Sequence, residues 1–87
     1  MRTKKELLEL MLNNIGKFRT GLCMLTMSMY CWEIITGEEY LALRAYIRDN
    51  KPKRLYSLDR SFYWQPGKEK PRIKWLKKHI ELNSANN

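Results

Sequence analysis

The sequence predicts a mainly α protein: a compact small bundle of about four helices, with one long aromatic and basic loop, holding room for a short strand, between the third and fourth. Three observations carry this reading. Apolar residues recur at helical spacing in four separate stretches. Two Thr-x-x-Glu capping boxes, Thr3 to Glu6 and Thr36 to Glu39, mark helix starts. Pro52, Pro66, Gly67 and Pro71 bracket a long stretch with no helical period. The expected helices span 3–15, 21–35, 37–50 and 71–82 of a single domain, 1–87, whose tail at 83–87 frays.

In the first helix Leu8, Met11, Leu12 and Ile15 repeat at i, i+3, i+4, i+7, and Asn14 and Gly16 signal its end. The second, 21–35, is read as the central helix. Leu22, Leu25, Met29 and Trp32 form one apolar stripe, with Cys23, Met27, Tyr30 and Ile34 beside it, which predicts burial on most of its circumference. Thr20 is the expected cap. At this length the segment falls short of the roughly 20 apolar residues of a membrane span. Tyr40, Leu43 and Ile47, with Tyr46, face inward on the third helix, which Asn50 and Pro52 end. Pro71 suits the first turn of the last helix, where Ile73, Leu76 and Ile80 face inward, Trp75 and His79 flank them, and Lys74, Lys77 and Lys78 face water. Between these helices, 51–70 carries Tyr56, Phe62, Tyr63 and Trp64, which argue against disorder; 61–65 is the candidate strand.

A chain of 87 residues buries only about 60 to 65% of its unfolded surface, so its core is modest and self-association helps it. Leu41, Leu55 and Leu58 lie outside the apolar stripes and predict a homo-oligomer. Cys23 and Cys31, roughly 12 Å apart along a helix, cannot form an intramolecular disulfide and read as buried free thiols. With no charged and apolar leader before the first helix, a reducing cytoplasm is the expected compartment.

The net charge of +8 is unevenly placed: residues 51–79 carry ten basic and two acidic side chains, whereas 1–50 carry seven and six. Such a field favours an anionic partner. Enzyme chemistry finds no support. One His and no Cys-x-x-Cys supply too few ligands for a zinc site; His79 reads as partly exposed without a catalytic neighbour; and the four glycines form no phosphate loop. No cofactor is expected. Asp59 and Glu69 are read as ion-pair partners of the surrounding bases. The candidate ligand-binding residues are Arg19, Tyr63, Trp64, Lys68, Lys70, Arg72 and Trp75: aromatic rings stack on bases, while Arg and Lys hold phosphate. The competing reading makes Trp64 and Trp75 core residues. Arg72, with little acid around it, is expected to need water or an anion.

Arg19-x-Gly21-Leu22-Cys23, Ile35-Thr36-x-Glu38-Glu39-Tyr40, Asn50-Lys51-Pro52, Tyr63-Trp64-x-Pro66-Gly67 and the run from Pro71 to Ile80 together resemble a family of small uncharacterised proteins of tailed bacteriophages, over residues 19–80. Gln65 departs from it, standing where that family often has an aromatic residue or Pro. The resemblance implies a bacterial host cytoplasm and a role in host takeover or counter-defence. Two functional readings follow: a binding protein that sequesters a phosphorylated nucleotide-type immune signal, or a basic inhibitor that binds nucleic acid or a nucleic-acid-handling defence protein.

Overall fold

The computed structural model describes residues 1–18, 20–50 and 69–84, the last segment with side chains from Pro71 onward. Within them lie α1 (Lys4–Phe18), α2 (Leu22–Cys31), α3 (Gly37–Asn50) and α4 (Glu69–Ser84), and no strand. The helical bundle read from the sequence is the observed fold. The candidate strand at 61–65, Leu55 and Leu58 lie outside the described residues.

Both capping boxes form. The Thr3 amide donates to the Glu6 carboxylate at 2.9 Å and the Glu6 amide to the Thr3 hydroxyl at 3.2 Å. Thr36 and Glu39 exchange the same two bonds at the start of α3. Glu39 does more than cap: it is 2% exposed, and its carboxylate also accepts the Arg2 amide at 2.9 Å and the Arg2 guanidinium at 2.8 Å. The segment before α1 is thereby tied to α3. These bonds, led by those from the Thr36 and Arg2 backbones, hold the Glu39 carboxyl below the usual carboxylate range.

The core is one cluster: Leu7, Leu8, Met11 and Ile15 from α1, Leu22, Leu25 and Met29 from α2, Ile35, Leu43 and Ile47, and Leu76 from α4. α1 packs on all three other helices, most extensively on α4. The hub is therefore α1 and not α2, although half of the residues of α2 are buried. α1 also runs past Gly16 to Phe18, because the Gly16 backbone lies outside the left-handed region that would end the helix.

α2 stops four residues short of the expected end. Glu33 adopts a left-handed φ of 59°, its amide donates to the Tyr30 carbonyl at 3.0 Å, and the Ile34 amide donates to the Met29 carbonyl at 2.8 Å. This pair of bonds is a Schellman motif. Its usual glycine is replaced by Glu, so the apolar run conceals the stop. The turn carries Trp32 out of the stripe to 70% exposure, with Cys31, Tyr30 and Met27 also exposed. Neither burial around most of α2 nor burial of both thiols holds: Leu25, Met29 and Cys23 are inside, and Trp32 and Cys31 outside. At the other end Gly21 occupies the cap position, and the Thr20 hydroxyl donates to the Gly21 carbonyl instead of capping. Stacking of Tyr30 on Tyr40, centroids 5.1 Å apart, joins α2 to α3.

α4 begins two residues before Pro71 and extends through Asn83 and Ser84, which do not fray: Asn83 donates to the His79 carbonyl and Ser84 to the Ile80 carbonyl, both at 2.8 Å. Residues 85–87 lie outside the described residues.

Candidate functional site

α4 has two chemically distinct faces. Arg72, Leu76, His79 and Asn83, at i, i+4, i+7, i+11, turn toward the bundle, and the first three are buried. Pro71, Lys74, Trp75 and Lys78, at i, i+3, i+4, i+7, line an open recess of about 400 Å³ on the neighbouring side. This volume falls within the range of about 300 to 1,000 Å³ common for ligand pockets. Lys74, Lys77 and Lys78 are all exposed.

Trp75 is half-buried and sits between the two faces. Its indole stacks on the His79 imidazole with centroids 4.0 Å apart and an interplanar angle of 26°, and Tyr46 meets its edge at 6.4 Å and 71°. The imidazole is fixed in turn by the Tyr46 hydroxyl, 2.7 Å from Nδ1. Asn83 Nδ2 donates to that hydroxyl at 3.0 Å, and Lys4 Nζ lies 5.7 Å from the Tyr46 ring centre. His79 is thus buried, not partly exposed: its i, i+4 spacing from Trp75 puts both rings in one stack, and α3 covers them. Burial, and then the charge of Lys78, push the His79 pKa below its ordinary value.

Arg72 also differs from expectation. It is 0% exposed, and its Nη1 donates to the Thr20 carbonyl at 3.4 Å, so its guanidinium serves the junction of α4 with the start of α2. Burial lowers the pKa of the group. Lys70 lies in the first turn of α4, but its side chain is outside the described residues, as are Arg19, Tyr63, Trp64 and Lys68. Of the candidate binding residues, Trp75 is the one whose described side chain lines the recess.

A second recess, of about 350 Å³, is lined by Arg2, Glu6, Glu9, Leu10 and Asn13. Its two carboxylates, and the commitment of Arg2 to Glu39 at 2.8 Å, make it a poor seat for an anion. Among the described residues no three His, Cys, Asp or Glu side chains are grouped to hold a metal ion, and no helix is long and apolar enough to cross a membrane. Comparison with family models, curated proteins and solved structures finds no match for this chain.

Tyr46, His79 and Asn83 were not legible as parts of this site. The i, i+4 spacing of Trp75, His79 and Asn83 was the available signal; the contribution of Tyr46 from α3 has no local signature.

Proposed function

We propose that this chain is a non-catalytic module that binds nucleic acid through the exposed face of α4. The observation that carries the reading is the presence on α4 of three exposed lysines, two of which, Lys74 and Lys78, share a recess with a half-buried Trp75, in a chain of net charge +8. Lysines at such spacing engage a run of phosphates and release counterions, which gives affinity without needing a closed pocket. Capture of a small nucleotide immune signal is less well supported, since it asks Arg72 to meet a phosphate from a position with no exposed surface. In the phage setting that the resemblance implies, binding would act as counter-defence on a nucleic-acid-handling step in the host cytoplasm.

The test is fluorescence anisotropy with labelled oligonucleotides across a salt series. Wild-type affinity should fall steeply with salt. Replacing Lys74, Lys77 and Lys78 together by Ala should flatten the log–log slope by about 2, at about 0.7 per single-strand phosphate contact. A small nucleotide bound with no oligonucleotide affinity would refute the reading.

A further inference from the structure

We propose that the Trp75 recess receives one unpaired base, which makes the α4 face selective for single-stranded over duplex nucleic acid; this rests on the reading of α4 as a nucleic-acid surface. The indole is supported from within. His79 stacks on it at 4.0 Å, Tyr46 abuts its edge, and the Tyr46–His79 hydrogen bond of 2.7 Å holds the supporting imidazole in place. The ring is therefore kept at the recess instead of turning into the core, and a ring held in advance loses little freedom when a base stacks on it.

The rim supplies the second half of the argument. Lys74 and Lys78 stand one turn apart, on either side of Trp75 in sequence, and line the same recess. Their spacing along the axis is about 6 Å. A strand crossing the helix can place its phosphates on these ammonium groups while one base enters between them. A base in duplex has both faces stacked and must be extruded before it can do so, at an energetic cost that an unpaired base avoids. Stacking on a side chain tolerates any base, so the selectivity is for strandedness and not for sequence.

The experiment measures anisotropy with the full chain on three probes of equal length: a single-stranded DNA, the same strand with abasic sites replacing its bases, and the duplex. The intact strand should bind roughly 5- to 150-fold more tightly than either other probe, the range expected for loss of one stacked base. Trp75→Leu should lose that preference while retaining the weaker, salt-sensitive binding, and Trp75→Phe should keep most of it. Equal binding of intact and abasic strands would overturn the proposal, and that comparison requires no variant to fold. If all three probes bind equally and the triple lysine variant loses all of them, the base recess fails while the α4 reading stands. If no probe binds, both fail.

Discussion

The Tyr46 hydroxyl lies 2.7 Å from Nδ1 of His79 and bridges α3 to α4. It accepts from Asn83 at 3.0 Å and keeps its own proton to donate to Nδ1, the arrangement that a neutral His79 with hydrogen on Nε2 takes. The folded state thus resists protonation of His79, in keeping with a pKa pushed below 6.5 by burial and by Lys78. As pH falls, the unfolded chain takes up this proton first. The associated stability is complete above about pH 6.5 and declines as pH drops through the lower folded value. Urea midpoints measured between about pH 8 and pH 5.5 should fall for the wild type, and His79→Gln should remove most of that slope. A wild-type midpoint flat across this interval would contradict the assignment.

Removing the hydroxyl alone is a gentler probe of the same bond. Tyr46→Phe should cost about 0.5 to 1.5 kcal/mol in urea denaturation, the ordinary net value of a hydrogen bond, and should leave the far-ultraviolet circular dichroism unchanged. A stabilised variant would argue that the network is strained.

Glu39 is charged, 2% exposed and held by Arg2 and Thr36. Because its folded pKa is lowered, the stability it contributes is present above about pH 4.5 and is lost as pH falls through the folded value. Glu39→Gln should abolish that acid-side component and destabilise the protein at neutral pH. Arg2→Ala should lose part of the same stability, since the backbone amide of residue 2 can still donate to the carboxylate. Equal acid sensitivity in wild type and Glu39→Gln would show that other carboxylates govern the acid transition.

Two glycine exchanges test the helix ends in opposite directions. Glu33→Gly relieves a left-handed φ of 59° and should stabilise by about 1 kcal/mol. Gly16→Ala, in a helix and with open space where its Cβ would go, should stabilise by about 0.5 to 1 kcal/mol. Thermal midpoints that fall in either variant would place the ends of α1 or α2 elsewhere.

The exposed turn after α2 predicts a contrast between two apolar residues of one sequence stripe. Leu25→Ala should cost about 2 to 5 kcal/mol, as for a buried aliphatic side chain. Trp32→Ala should cost far less, because Trp32 is 70% exposed, with the Phe18 ring at 6.4 Å and Lys17 beside it. Comparable losses in urea denaturation would restore Trp32 to the core.

The features that the sequence reveals here are local. Thr3 with Glu6 and Thr36 with Glu39 are legible because a capping box closes within three residues, and Leu43, Ile47 and Leu76 because helical period selects the buried face. The end of α2 is hidden because Glu33 takes a left-handed conformation that glycine usually marks. The burial of Arg72 against the Thr20 carbonyl, 52 positions earlier, has no local signature. In the site, the outward placement of Lys74, Lys77 and Lys78 follows from periodicity; the support of Trp75 depends on Tyr46, a contact across 33 positions with His79 that no spacing rule supplies.

The central claim, that α4 carries a nucleic-acid surface, is tested most directly by the salt dependence of oligonucleotide binding to wild type and to the Lys74→Ala, Lys77→Ala, Lys78→Ala triple variant. The account predicts a steep wild-type slope that flattens by about 2 in a variant of unchanged helical content. Identical slopes and affinities in the two proteins would contradict it.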